Sequence, residues 1–464
     1  MKYKGPGEDT IAAIATPIGQ GGIGIVRISG PRAKETARKI FKPKGPVQEL
    51  KSHHLYLGHF CDPSSGEIID EVLLSYMKQP CSYTREDVVE INSHSGYYLL
   101  TRILQVILDQ GIRLARPGEF TFRAFMNGRI DLTQAEAIVD LINSKSDRGL
   151  QLAATQISGL LRSTIEELRQ RALDLIAHVE AAIDFPEEDF ALLPREETIS
   201  RMERELLSPI RRMIADHDQR KLWMHGIKLV IVGRVNAGKS SLMNRLLNEQ
   251  KAIVTPYPGT TRDIIESTIQ INGIPFRVVD TAGFRKARGE VERIGVRMAE
   301  EQMAQADLIL LVIDQSRTLN QEDLRLIKKA NKENSIAVVN KVDLPPRLDE
   351  GRLFSLLGGL PTVRISALRG DGIHELKERI ADTVMTGRIT GDSSPIAPNV
   401  RHTQALTRSL EAFSRAAETI NEDLPYEITA LELHNGLEAL GEITGETTGD
   451  EILDRIFSHF CLGK

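Results

Sequence analysis

The sequence predicts a multidomain α/β protein: an N-terminal mixed α/β domain, a discontinuous helical domain, and a P-loop domain inserted between the two helical parts. Three observations predict it. A strand-like run from Ile227 to Val232 leads into Gly233-Arg234-Val235-Asn236-Ala237-Gly238-Lys239-Ser240 and then a helix-like segment from Ser241 to Leu247. Strand, G-x-x-x-x-G-K-S, helix is the phosphate-binding loop in its required setting. Next, β-like and mixed patterns before residue 128 give way, from Leu132 to about His217, to apolar residues at three/four spacing. Helical periodicity then returns from Arg401 to the end. Neither helical stretch makes a large core alone, so the two together form one domain. The expected boundaries are 1–128, 129–221, 222–386 and 387–464.

Composition agrees with such an assembly. A chain of 464 residues suits roughly three domains of ~150 residues. Its 41% hydrophobic and 27% charged residues are those of an ordinary soluble protein. No apolar run reaches the ~18 residues a membrane span needs, and the start lacks the apolar core of a signal peptide. Three scattered cysteines, Cys61, Cys81 and Cys461, form neither a disulfide framework nor a zinc pattern, so a reducing cytoplasm is expected. Cys461 mimics a prenylation box, but Gly463 and Lys464 argue against one. A net charge of −5 excludes a globally basic RNA-coating surface, so any nucleic-acid contact is local or shared with a partner.

Along the N-terminal part, strands are expected at Ile11–Ala15, Gly24–Ile28, Leu55–Phe60, Glu71–Met77 and Asp87–Ile91, and a helix from Tyr97 to Gln110. The glycines around Gln20 precede a strand instead of opening a helix, which rejects a dinucleotide fingerprint. Pro186 and the acidic Glu187-Glu188-Asp189 interrupt the helical stripe as a solvated turn, and another helix starts near Glu196. A Gly/Ser/Pro-rich linker covers 391–399.

A P-loop alone does not distinguish ATP from GTP. Its backbone N–H groups and helix dipole cradle phosphates, Lys239 reaches the β/γ-phosphates and the Ser240 hydroxyl can ligate Mg²⁺. Gly259-Thr260-Thr261-Arg262-Asp263 follows at the distance of a switch I, with Thr261 preferred and Thr260 the near alternative for completing the Mg²⁺ shell. A strand then ends in Asp280-Thr281-Ala282-Gly283, where Asp280 holds Mg²⁺ through water and the Gly283 N–H bonds the γ-phosphate. Further on, a strand at 336–339 ends in Asn340-Lys341-Val342-Asp343. Asp343 can accept both N1–H and N2–H₂ of guanine, and adenine would leave that carboxylate unpaired. Asn340 braces the loop, Lys341 packs over the purine, and Ser366-Ala367-Leu368 supplies the last base contact. Five pieces in order, each after its strand, point to a Ras-like GTP-binding domain that hydrolyses GTP. The nucleotide set also takes in Ala237, Gly238, Ser241 and Thr255. Phe284 occupies the place of the water-orienting glutamine, and Glu290 and Glu292 are the substitutes that spacing offers. The Asn236 side-chain oxygen can give one ligand to a cation beside the breaking phosphate bond, a charge worth roughly 10³–10⁵ in rate.

With these residues in place, the chain resembles the MnmE (TrmE) family of tRNA-modifying GTPases over essentially its whole length. The resemblance is carried by Ala15-Thr16-Pro17 through Gly30, by 82–90 (SYTREDVVE), by 115–121 (ARPGEFT) and by 131–137 (DLTQAEA). Asn236 in the P-loop and the closing Phe460-Cys461-Leu462-Gly463-Lys464 complete it, with Leu462 a conservative departure from the family's isoleucine. It implies an N-terminal tetrahydrofolate-binding domain that dimerises, and a helical domain carrying the inserted G domain. It implies modification of wobble uridine (U34) at C5 to the carboxymethylaminomethyl or aminomethyl form, with GTP, tRNA and an FAD-dependent MnmG/GidA-family partner in a heterotetramer. The one-carbon unit comes from 5-formyl- or methylene-tetrahydrofolate, held by Arg27, Glu90, Arg129 and Lys464. By the same resemblance Glu292 is the catalytic glutamate beside Asn236 and Lys239, and K⁺ is held by Asn236 with backbone oxygens of Thr255, Tyr257 and Thr260. The competing reading is a GTPase switch in ribosome assembly, similar to the Era/Der group, whose basic RNA-binding modules are missing here.

Overall fold

The computed structural model describes residues 9–17, 19, 21–184, 194–248, 266–280, 301–331, 333–388, 396–460 and 463. Internal packing divides the chain into two compact units. One joins Met1–Val139, Gln156–Ile210 and Gln404–Lys464; the other joins Asp140–Thr155 and Arg211–Thr403.

In the first unit a seven-stranded sheet runs β3-β4-β5-β6-β2-β1-β7. Its strands are β1 (Ile11–Ile14), β2 (Ile23–Ser29), β3 (Phe41–Pro43), β4 (His54–Cys61), β5 (Ile68–Met77), β6 (Val88–His94) and β7 (Arg113–Leu114). Neighbours are antiparallel except β1 and β7. Side chains alternate across a strand, so Val26 and Ile28 of β2 join Leu74 and Ile91 in the core, while Arg27 faces the other way. Two helices cover the core face: Ala33–Ile40, and Tyr97–Asp109 through Leu100, Ile103, Val106 and Ile107. All five expected strands and the Tyr97 helix are present with ends shifted by up to three residues, the ordinary uncertainty of element boundaries. The Ala33–Ile40 and Glu119–Met126 helices were not expected. The first buries Ala33, Thr36, Ala37 and Ile40 at helical spacing, a periodic signal that was present in the sequence and unused. Within this unit the long Leu160–Asp184 helix packs along Tyr426–Thr444. Phe122, Leu132, Leu453, Phe457 and Phe460 form a separate aromatic core.

In the second unit a six-stranded sheet runs β13-β12-β11-β8-β10-β9. Its strands are β8 (Ile227–Val232), β9 (Glu266–Ile271), β10 (Ile274–Asp280), β11 (Leu308–Asp314), β12 (Ser335–Asn340) and β13 (Thr362–Ile365). All pairs are parallel except β9 with β10, which close through Asn272-Gly273, both at positive φ. That dipeptide is the hairpin turn chemistry that matches strand twist, and it was the unused signal for β9. The central strands β11 and β12 are buried at every residue, as expected of a parallel sheet covered on both faces. The strand order places the C-terminal ends of β8, β11 and β12 side by side, with β13 next to β12. Loops that bind ligands in open parallel sheets leave from that edge.

Candidate functional site

Each loop leaving those strand ends carries part of the nucleotide motifs. After β8 the chain turns through Gly233-Arg234-Val235-Asn236-Ala237-Gly238 into the Lys239–Asn248 helix. Gly238 has φ +98°, and a Cβ there would stand 2.1 Å from Asn340 Nδ2, so only glycine fits between the loop and β12. The Lys239 side chain is buried and folds back over the loop. Its ammonium donates to the carbonyls of Gly233 at 2.6 Å and Arg234 at 2.8 Å. Ser240 and Ser241 lie exposed in the first helical turn, where the N-terminal dipole favours anions.

Asn340, the last residue of β12, fastens three loops together. Its Nδ2 donates to the Ala237 carbonyl at 2.9 Å, and its Oδ1 accepts from the backbone N–H groups of Lys341 (2.8 Å) and Ala367 (3.0 Å). Its side chain therefore braces the P-loop, its own loop and the Ser366-Ala367-Leu368 turn. The Lys341 ammonium donates to the Asn236 carbonyl at 2.8 Å and to Asp314 Oδ2 at 2.7 Å. Asp343 Oδ1 accepts from the Ser366 hydroxyl at 2.7 Å. That bond holds the Asp343 carboxyl below the usual carboxylate range, against a smaller opposing effect of burial. The ionised form is the one that can accept two donors. Leu368 is exposed, and Arg245 from the P-loop helix donates to the carbonyls of Ala367 and Leu368. Sequence reasoning missed Asp314, Ser366 as the partner of Asp343, and Arg245. The visible signal for Asp314 was a carboxylate closing the all-apolar run from Leu308 to Ile313.

The backbone of Asp280 is in register with Ile231 of β8, so β10 ends beside the strand that feeds the P-loop. Thr255, Tyr257, Thr260, Thr261, Thr281, Ala282, Gly283, Phe284, Glu290, Glu292 and Lys464 lie outside the described residues.

A second polar cluster sits in the other unit, on the sheet face opposite the Ala33–Ile40 and Tyr97–Asp109 helices. Arg27 of β2 and Glu90 of β6 are direct cross-strand partners, and both guanidinium Nε and Nη2 meet one carboxylate oxygen, Oε1, at 2.8 Å. Glu90 Oε2 is outside that pair. The Arg27 guanidinium lies 5.4 Å from the Tyr83 ring centre and 5.6 Å from that of Phe120. Arg129 comes to 4.7 Å from the same Tyr83 ring and donates to the Tyr83 carbonyl at 3.1 Å. Cation–aromatic contacts of this kind hold both guanidiniums in place. From the far end of the chain, the Gly463 carbonyl accepts from Arg27 Nη1 at 3.4 Å. Gly463 has φ +92°, and a Cβ there would lie 2.2 Å from the Ile14 carbonyl, so the tail runs hard against β1. Arg27, Glu90 and Arg129 thus share one site, with Tyr83 and Phe120 as its unforeseen aromatic members. Among the described residues no helix is long and apolar enough to cross a membrane, and no group of three His, Cys, Asp or Glu residues could hold a metal.

Two family profiles match the chain. The one described as GTP-binding protein TrmE N-terminus covers residues 10–129, and the one described as MnmE helical domain covers 132–461. Similar curated proteins carry the name tRNA modification GTPase MnmE. That of Natranaerobius thermophilus is 43% identical over 98% of this chain and 100% of its own length. That of Geobacillus kaustophilus is 44% identical over 98% of this chain and 99% of its own, and that of Bacillus subtilis 43% over 98% and 100%. A nucleotide-type sheet edge, two profiles that between them span residues 10–461, and full-length identity above 40% agree: the chain belongs to the MnmE family of tRNA modification GTPases.

Proposed function

We propose that the chain hydrolyses GTP in its inserted G domain, about 222–386, to drive modification of wobble uridine in tRNA at C5, acting with a flavin-dependent partner of the MnmG/GidA family. The observation that carries the GTP half is the Asn340 side chain, which ties the P-loop to the two loops that would frame a guanine base. Asp343, kept ionised by Ser366, accepts N1–H and N2–H₂ of guanine. Lys239 would meet β- and γ-phosphate oxygens, and the Ser240 hydroxyl with Thr261 and Asp280 would hold Mg²⁺. Glu292 orients the attacking water in place of the glutamine that Phe284 replaces. Asn236 and the backbone oxygens of Thr255, Tyr257 and Thr260 would hold potassium, which would supply positive charge beside the breaking phosphate bond.

The N-terminal domain, about 1–128, binds a tetrahydrofolate and dimerises in this reading. The residues suit a folate: Glu90 keeps Oε2 outside its ion pair for the donor edge of a pterin, and Arg27 and Arg129 are cations for a glutamate tail. When bound, the folate supplies the one-carbon unit. The chain's own share is to hold it between the Arg27–Glu90 pair and the C-terminal tail, where Lys464 adds a charge. A cytoplasmic location follows from tRNA as substrate.

The deciding experiment is nucleoside analysis of bulk tRNA from a strain lacking the gene. Loss of the C5 modification of wobble uridine is expected; an unchanged profile removes the reading. Potassium is tested separately by comparing GTPase rates in KCl and NaCl at equal ionic strength. Wild type is expected to be at least about tenfold faster in KCl and Asn236→Ala indifferent to the salt, the scale of a lost charge at a phosphoryl-transfer site. Equal wild-type rates would rule the cation out.

A further inference from the structure

The buried carboxylate of Asp314 belongs to none of the motifs above. It ends β11, is opposite Asn340 of β12, and its side chain is only 1% exposed. Its two oxygens are used differently. Oδ1 accepts from the Ser316 N–H at 2.9 Å and the Ser316 hydroxyl at 2.7 Å, which closes the turn leaving the strand. Oδ2 faces cations: the Lys341 ammonium at 2.7 Å, Arg234 Nη2 at 3.7 Å and Arg317 Nε at 4.0 Å. The Lys341 ammonium then reaches the P-loop carbonyl of Asn236 at 2.8 Å. A line of contacts therefore runs from the end of β11, through the lysine of N-K-x-D, to the phosphate loop.

The backbone at both ends of the last contact is unusual. Lys341 has φ +68° and Asn236 φ +63°, left-handed conformations that cost free energy in residues with a Cβ. Such residues persist where their surroundings over-determine them. Here the lysine ammonium fastens one to the other, and lysine on its own has a flexible four-carbon stem with a freely turning head. A buried carboxylate at 2.7 Å removes that freedom.

We propose that Asp314 is a positioning residue for guanine nucleotide. It acts through Lys341, setting the stem as one wall of the base site while the ammonium holds the Asn236 carbonyl, so that base recognition and phosphate-loop geometry are joined. The proposal rests on the guanine-nucleotide reading of the N-K-x-D loop. Its rival gives Asp314 only the turn with Ser316, a role that would not involve Lys341.

The two separate in a mutant cycle on the full-length chain loaded with fluorescent N-methylanthraniloyl-GDP. Release is followed for wild type, Asp314→Asn, Lys341→Ala, the double variant and Ser316→Ala. Asn is isosteric with Asp, and loading with the fluorescent nucleotide itself reports that a variant folds. Losing one charge-assisted hydrogen bond should speed release by about tenfold or more in Asp314→Asn. KM for GTP should rise in step while kcat at saturation stays within about twofold, since ground-state binding is what changes. Lys341→Ala should release at least as fast, the double variant no faster than Lys341→Ala, and Ser316→Ala near wild type. Wild-type release from Asp314→Asn overturns the proposal, and so does an Asp314→Asn effect that multiplies undiminished onto Lys341→Ala. Wild-type release from Lys341→Ala would instead overturn the reading of the base site. If Asp314→Asn does not load, Asp314→Ser with Lys341→Met repeats the cycle under the same criteria.

Discussion

Two sites carry the argument at the scale of single residues. Asp343 was legible in the sequence because its value lies in spacing: a carboxylate three residues after Asn340, at the end of an apolar strand, has few other uses. Its partner was not legible, since nothing local says that Ser366, 23 residues on, will donate to it. Asp343→Asn keeps the shape and loses the paired acceptor, so GTP affinity should fall by about 10- to 100-fold in a competition assay. Ser366 holds the folded-state carboxyl below its ordinary value of 3.8, so acidification should weaken GTP binding through Asp343 at a lower pH in wild type than in Ser366→Ala. Identical acid limbs for the two proteins would contradict the pairing. Arg27 and Glu90 are the other case. Arg27→Ala or Glu90→Ala should abolish tRNA modification while leaving GTP hydrolysis within about twofold, because the two sites belong to different compact units. Parallel loss of both activities would show misfolding or direct coupling instead.

Elements were read well where an apolar run or stripe is long, and the two eight-residue helices Ala33–Ile40 and Glu119–Met126 were missed. β8 appears with the bounds its apolar run predicts, and the Leu160–Asp184 helix follows the stripe through Leu161, Leu168, Leu175 and Val179. The pairing of helices is a different matter, because a stripe shows which face is buried but not against what. Gly436 illustrates this. In the Tyr426–Thr444 helix it looks like a flaw, since glycine costs about 1 kcal/mol against alanine in a helix. The structure explains it: a Cβ at 436 would lie 2.4 Å from the ring of Phe413, itself fully buried in the neighbouring Val400–Asn421 helix. Gly436→Ala should therefore destabilise the protein by about 1–3 kcal/mol despite the better propensity, the usual cost of overpacking. A higher midpoint in thermal unfolding would show that the helices can separate without cost.

For the molecule as a whole, one departure from a plain apolar core is the charge network that holds the N-terminal sheet to the helix at Glu119–Met126. Arg123 pairs with Glu86 at 3.1 Å, with Glu119 at 3.1 Å and with Asp9, and Arg113 pairs with Asp9 at 2.9 Å and Glu119 at 2.6 Å. Burial pushes the carboxyls of Asp9 and Glu119 up, but the two arginines more than offset it, and both are held below their ordinary values of 3.8 and 4.5. A depressed folded-state pKa adds stability that is complete above the unfolded value and lost as pH falls through the folded one. In unfolding monitored against pH, the network's share of the stability should be level from 8 to 5 and be lost as pH falls below about 4.5. Arg123→Met takes from the buried Glu86 its arginine and leaves Asp9 and Glu119 with Arg113 alone. It should cost about 3–5 kcal/mol and bring acid unfolding to a higher pH, whereas an unchanged acid limb would show the network to be idle.

By itself the sequence determined the nucleotide loops, their order along a parallel sheet, the strand and helix periods, and the split of the helical residues around the inserted domain. All of these are local chemistry: a glycine that must turn, a lysine at a fixed offset, an apolar run of the right length. Only the tertiary structure decided that Asp314 meets Lys341, that Gly436 faces Phe413, and that Gly463 arrives beside Arg27 across 436 residues of chain. A pairing between distant residues depends on which of many chain closures gains the most from packing and charge. The residues involved, two glycines, a lone aspartate and an arginine among them, look the same from one neighbourhood of the sequence to the next.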